Sequence, residues 1–218
     1  IKGKEYYYDG KLKFEGDYLN GEKNGKGKEY NNDGELIFEG EFLNRKIIET
    51  SNVRNEGEVS SSSEVRAKEF KELMQNNEID AIICATGGDF LTDILPFIKD
   101  DDIKEKLVMG ASDPTNLLYL ITTKYDIATL YGHNAGSFDA SNLFTSQNIA
   151  IEYLKGNLLP QESYEYYESN RDDRVNNNYA LTEKVEWKSN KEEIDITGRL
   201  IGGCIDCLKY LPGTPYED

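Results

Sequence analysis

The chain has 218 residues, with 41 Asp and Glu against 25 Lys and Arg and a formal net charge of −16. That balance repels nucleic acid and anionic membrane surfaces, and no apolar run approaches the ~20 residues needed to cross a bilayer. Three cysteines, Cys84, Cys204 and Cys207, make no disulfide framework, so a reducing cytoplasm is the expected location. The chain opens on Ile1 with neither an initiator Met nor a signal peptide and ends at Asp218, as a fragment would.

The first 46 residues are a repeat. Gly3 to Asn20 returns as Gly27 to Asn44 at an offset of 24, with 12 of 18 aligned positions identical. Each unit alternates polar and apolar residues around an Asp-Gly turn, Asp9-Gly10 and then Asp33-Gly34, which reads as one β-hairpin per repeat. The aromatic-Glu-Gly-acidic-aromatic pattern resembles the MORN repeat. In such repeats the recurring aromatics stack along the sheet, so Tyr6, Phe14, Tyr30 and Phe38 are the expected core. Two units have little core of their own, and the sheet is expected to pack on something.

Residues 45–63, with Gly57 and four consecutive serines, read as a linker. Ser63 is the expected N-cap of a helix over 64–76, where Val65, Ala67, Phe70, Leu73 and Met74 recur at helical spacing. Asp80 to Thr86 is a buried-strand run ended by Gly87-Gly88-Asp89, and Phe90 to Ile98 reads as a second helix. Leu107 to Met109 then meets a small-residue corner, Gly110-Ala111, with Ser112 at its tip and an apolar helix-length segment behind. A strand, a sharp turn carrying serine and a helix is the layout of a nucleophile elbow. Tyr125 to Tyr131 is a further strand. The alternation predicts an α/β fold with a doubly wound, mostly parallel sheet of Rossmann or flavodoxin type. Gln161 to Asn178 has no clear period. Leu181 to Ile196, with Val185, Trp187, Ile194 and Ile196 alternating, reads as a hairpin opening a second, mainly β domain. The expected boundaries are 1–46 for the repeats, 47–160 for the α/β domain and 161–218 for the start of the next.

Several motifs occur in series: Ala-Ile-Ile-Cys-Ala-Thr-Gly-Gly-Asp (81–89), Met-Gly-Ala-Ser-Asp-Pro-Thr (109–115), Tyr-Gly-His-Asn (131–134), Thr-Gly-Arg-Leu-Ile-Gly-Gly-Cys-Ile-Asp-Cys-Leu (197–208) and Pro-Gly-Thr-Pro (212–215). From about Val53 to Asp218 the series resembles the LD-carboxypeptidase family of serine peptidases, which includes the microcin-immunity hydrolases. The resemblance implies that Ser112 attacks the amide between an L-residue and a D-amino acid, or a related acyl bond. By position the oxyanion donors are the backbone amides of Gly88 and Asp113; Asp113 also suits a helix start, where the dipole favours an acid. The family takes its base, a histidine oriented by a glutamate, from a C-terminal domain downstream of the Gly-Gly-Cys segment. The single histidine, His133, lies upstream, in the segment matching the family's x-Gly-Pro-Asn turn, and is expected in a pocket or loop. The family's opening strand and helix are missing, and the repeats stand in their place.

Other signals point to no cofactor and no metal. Cys204-Ile-Asp-Cys207 lacks two further zinc ligands nearby and sits in an apolar stretch, so core packing is its expected role. Asp100-Asp101-Asp102 reads as a solvated loop, Asn31 to Gly34 lacks the ligand spacing of a calcium loop, and Gly87-Gly88 lacks dinucleotide spacing. The expected partner is a peptide or muropeptide substrate, with no nucleic acid and no membrane span. A homodimer and a protein partner of the repeats are both compatible with the sequence. An enzyme of serine carboxypeptidase type and a non-catalytic interaction protein are the two readings carried forward.

Overall fold

The computed structural model describes residues 1–217 except 20, 43–46, 140–141, 176–177, 189 and 191–193. Leu43 and Asn44, which close the second repeat, and Arg45 and Lys46, which open the linker, lie outside the described residues. The chain forms two compact units, Ile1–Glu49 and Thr50–Asp218.

The first unit is a four-stranded antiparallel sheet of β1 (Lys2–Tyr6), β2 (Leu12–Leu19), β3 (Glu22–Tyr30) and β4 (Leu36–Phe42), paired in that order. Gly10 and Gly34 take positive φ in the two Asp-Gly turns, so each repeat is one hairpin. The four aromatics do not share one environment. Phe14 is fully buried, whereas Tyr6 is 57% and Phe38 41% exposed, and Tyr30 is half-buried with its hydroxyl on Glu15. The reason is that this unit is one sheet, with no second layer of its own to cover alternate residues. Phe14 is covered locally: Tyr18 stacks edge-on at 5.4 Å and the Lys23 ammonium stands 4.4 Å over the ring. Its ring also lies over Gly16, where a Cβ would come within 2.6 Å of Cζ.

The second unit has a parallel sheet of β5 (Ala81–Ile83), β6 (Leu107–Gly110) and β7 (Leu130–Tyr131), in that order. These strands follow chain order, so the reversal that makes a sheet doubly wound is not found among them. Helix α1 (Ser63–Gln75) begins one residue earlier than expected: Ser62, not Ser63, is the cap, and its hydroxyl accepts from the Val65 amide. The linker is tied to this helix by the Asn52 amide and side chain, which both donate to Glu69.

Leu91–Phe97 is a 3₁₀ helix, not the expected α-helix. Pro96 inside it has no N–H to donate and its ring opposes the carbonyl four residues back, so a short segment settles into the tighter winding. Asp100–Asp102, expected as a loop, is a further 3₁₀ turn. Helix α2 (Thr115–Tyr125) runs into the region expected as a strand. It ends where Asp126 adopts a left-handed conformation (φ 56°), its amide and that of Ile127 reaching back to the Ile121 carbonyl. Only Leu130 and Tyr131 remain to form β7.

Ala67, Phe70 and Met74 of α1, Ile82 and Val108 of the sheet, Ile94 and Leu95 of the 3₁₀ helix, and Leu117, Leu118, Leu120 and Ile121 of α2 form the core. Each large aliphatic taken out of water stabilises the fold by roughly 1.5–3 kcal/mol. Beyond α3 (Thr145–Leu154), β8 (Tyr166–Tyr167) pairs antiparallel with β9 (Glu183–Lys184), and α4 (Ile205–Leu208) is one turn. The expected hairpin over 181–196 is therefore not local. Its described strand pairs with residues 166–167, Trp187, Ile194 and Ile196 are exposed, and 189 and 191–193 lie outside the described residues. No helix among the described residues is long and apolar enough to cross a membrane.

The unequal aromatics make a direct test. Phe14→Ala is expected to cost about 3–5 kcal/mol in the stability of the N-terminal sheet. Phe38→Ala should cost clearly less. Urea unfolding of the two variants distinguishes this from a pair of equivalent repeats, which would give equal losses.

Candidate active site

Strand β6 delivers the chain to a corner that only certain residues can make. A Cβ on Gly110 would stand 2.7 Å from Pro114 Cβ and 3.1 Å from Cys84 Cβ, so the strand end requires glycine. Ala111 is held as though by a neighbouring strand. Its amide donates to Asn134 Oδ1 at 2.9 Å and its carbonyl accepts from Asn134 Nδ2 at 3.1 Å. Ser112 then adopts φ 67°, a left-handed conformation that costs a non-glycine residue about 1–3 kcal/mol. Its carbonyl accepts from the Thr115 amide at 2.9 Å and the Thr115 hydroxyl at 2.6 Å, turning the chain into α2. The Ser112 amide donates to the Tyr131 hydroxyl at 3.2 Å. Asp113 through Leu118 are buried, and Ser112 alone is exposed at the tip.

The Gly87-Gly88 turn lies against this tip. A side chain on Gly87 would begin 3.1 Å from Ser112 Cβ and 3.5 Å from its Oγ, and one on Gly88 would begin 3.7 Å from Asp113 Oδ2. The structure thus brings together the three residues that the sequence singled out: Ser112, Asp113 and Gly88. Among the described residues, the amides of Gly88 and Asp113 have no hydrogen-bond acceptor.

Asp113 has a structural task that differs from the expected one. It precedes α2 rather than capping it, and its Oδ2 accepts from the amides of Phe90 (3.0 Å) and Leu91 (2.7 Å) at the start of the 3₁₀ helix. Burial raises its pKa, with the Asp89 charge adding to the effect; the two amides and Arg66 oppose it. Cys84, on the other side of Gly110, is half-buried, and desolvation pushes its thiol up to about 12, leaving it a neutral packing residue.

His133 is not joined to the serine. Its Nε2 lies 2.9 Å from Ser146 Oγ, its ring meets Phe138 edge-on, and burial lowers its pKa. Among the described residues no histidine or carboxylate is hydrogen-bonded to Ser112 Oγ. His133 instead lines a cavity of about 540 Å³ with Phe144, Tyr164, Tyr167, Arg171 and Tyr179. That cavity begins one residue from the corner, because Tyr131 and Asn134 on either side of His133 both bond residues 111–112. Sequence reasoning missed the roles of Asn134, Tyr131, Thr115 and Gly87. The Tyr-Gly-His-Asn motif carried the signal, but its asparagine acts only across two strands.

A strained, exposed serine between a parallel strand and a helix, with a glycine turn against it, gives an α/β protein the layout of a nucleophile elbow. Comparison with known proteins gives its relatives. The LD-carboxypeptidase N-terminal domain matches residues 31–132, a span that begins in the second repeat and ends after β7. The microcin C7 self-immunity protein MccF of Escherichia coli is 40% identical over 75 residues, 34% of this chain and 22% of that protein. A solved structure of MccF with aspartyl sulfamoyl adenosine aligns at a TM-score of 0.55 and 28% identity, over 72% of this chain and 50% of that one. An MccF-like protein from Streptococcus pneumoniae in complex with AMP aligns at 0.51 and 25% identity, over 66% and 46%. Residues 31–132 thus carry the likeness to the LD-carboxypeptidase N-terminal domain, the chain is similar to the microcin-immunity proteins, and it spans about half the length of the solved relatives.

Two predictions follow from this geometry. Ser112→Gly removes the left-handed penalty, so thermal or urea unfolding should show a gain of about 1 kcal/mol; a loss would mean the corner is not strained. For Asp113, a folded-state pKa above the unfolded one means the native state holds the proton more tightly. Its contribution to stability is then present at low pH and is lost as pH rises from the unfolded to the folded value. Asp113→Asn keeps an oxygen for Phe90 and Leu91, and should flatten that part of a stability–pH profile.

Proposed function

We propose that this chain is the nucleophile-bearing part of a serine-type hydrolase that cleaves an acyl bond in a peptide-like substrate through Ser112. The observation that carries this reading is the exposed serine at φ 67° with Gly87 packed on its side chain. In the proposed step Ser112 Oγ attacks the substrate carbonyl carbon while its proton passes to a general base. The developing oxyanion is held by the amides of Gly88 and Asp113. The amine leaves with a proton, and water then releases the acyl group from Ser112. Family resemblance assigns the base to a histidine–glutamate pair of a C-terminal domain, and we read residues 161–218 as the opening of that domain. The oxyanion assignment is supported by two amides without acceptors beside the serine.

The substrate class we infer is an LD-peptide of the cell wall or a peptide antibiotic. The antibiotic reading draws support from the relatives, one named for microcin C7 self-immunity and others solved with an aminoacyl sulfamoyl adenosine or AMP. The aromatic cavity beside His133 would take the substrate's flank. A second reading, a non-catalytic interaction protein, is favoured by the absence of a base on Ser112 Oγ among the described residues and by the exposed aromatics Tyr6, Tyr8 and Phe38 of the N-terminal sheet.

The test is incubation of the full-length gene product with a muropeptide tetrapeptide and with an aminoacyl-nucleotide antibiotic, followed by mass spectrometry. Release of D-alanine or of the aminoacyl group is expected, falling about a thousandfold or more in Ser112→Ala. Release that is unchanged by Ser112→Ala would overturn the mechanism, and binding without release would favour the second reading.

A further inference from the structure

The Cys204-Ile-Asp-Cys207 pair is not core packing alone. Leu208 and Leu211, just beyond it, join the core, but Ile205 is exposed and both cysteines are half-buried and free. The two sit at the ends of one turn, with the Cys207 and Leu208 amides donating to the Cys204 carbonyl at 3.1 and 3.0 Å. Residues at this spacing on a turn lie within reach of a disulfide.

The pair is also wired to the serine corner. The Cys204 amide donates to Thr115 Oγ1 at 3.0 Å, and that same hydroxyl donates to the Ser112 carbonyl at 2.6 Å. Thr115 is fully buried, and Gly203 lies so close that a Cβ there would stand 2.4 Å from Thr115 Cγ2. Upstream, Arg199 donates to the Thr122 carbonyl and pairs with Asp126, holding the segment to the far end of α2. One threonine hydroxyl therefore links the dithiol to the carbonyl of the strained residue.

We propose that Cys204 and Cys207 form a reversible disulfide and that its closure acts on the Ser112 corner through Thr115. The oxidant is a low-molecular-weight disulfide such as oxidised glutathione. The Cys204 thiolate attacks one of its sulfurs, forming a mixed disulfide and releasing one glutathione thiolate. The Cys207 sulfur, after losing its proton to solvent, attacks Cys204 Sγ and releases the second glutathione. Two protein thiols are oxidised and one glutathione disulfide is reduced to two thiols. Burial and the neighbouring sulfur push the Cys207 thiol up to about 11, which suits it to the second, resolving step. Bond formation draws the two sulfurs together to about 2 Å, and the pull on Cys204 loosens its amide from Thr115.

The test does not depend on hydrolysis. The full chain is treated with oxidised glutathione, and thiols are counted by alkylation and peptide mass spectrometry. Loss of two hydrogen masses on the peptide holding Cys204 and Cys207, reversed by dithiothreitol, is the expected result. Amide exchange should become several-fold faster at Cys204 and in the peptide covering 110–118, and Cys207→Ser should abolish that change. Stable glutathionylation without a 204–207 bond, or a disulfide to Cys84, would overturn the site. Unchanged exchange at 110–118 in the oxidised protein would overturn the coupling.

Discussion

The α/β unit depends on one backbone conformation, the left-handed turn at Ser112. A serine gains nothing locally from φ 67°, so the conformation persists only because its surroundings over-determine it. Three constraints do so from different directions. Asn134 satisfies both polar groups of Ala111, Thr115 ties the Ser112 carbonyl from below, and the missing side chain of Gly110 lets Pro114 and Cys84 close in. The parallel pairing of β6 with β7 brings Asn134 within reach, because the Gly132 amide on Gly110 continues the ladder past the last strand residue. Exposure of the Ser112 side chain is then a geometric consequence of burying everything after it.

Asp113 extends this arrangement to the glycine turn. Its carboxylate gathers the amides at the start of the 3₁₀ helix, and so fixes the chain immediately after Gly87-Gly88. The cost of a buried carboxylate, visible in its raised pKa, is offset by two charge-assisted hydrogen bonds. The residue following Ser112 thus positions the turn that lies against Ser112. A hydrolase of this layout would have one side chain organising both halves of its oxyanion site.

The N-terminal unit obeys a different constraint. A single four-stranded sheet cannot cover both of its faces, so it buries an aromatic only where local chemistry encloses it. Phe14 has a glycine beneath it, a tyrosine beside it and a lysine above it. Phe38 occupies the equivalent place in the second repeat, and lies over Gly40 in the same way, yet remains partly exposed. Near-identical sequence yields unequal burial because β2 has strands on both sides and β4 is an edge.

The sequence by itself determined the hairpins, the α1 and α2 helices, the strands leading to the two glycine corners and the serine at the tip. Those features are local: a turn dipeptide, an apolar period, or a small residue where backbone must bend. Tertiary structure decided the rest. Pro96 and the capping by Asp113 made a 3₁₀ helix from a helical pattern, and the left-handed end of α2 took the first two residues of an expected strand. Strand β9 found its partner at 166–167 rather than in its own neighbourhood. The roles of Asn134 and Tyr131 were illegible for the same reason, since each acts on residues 19 to 23 positions away. Such hydrogen bonds exist only once parallel strands have been brought side by side, which no period or motif within one segment encodes.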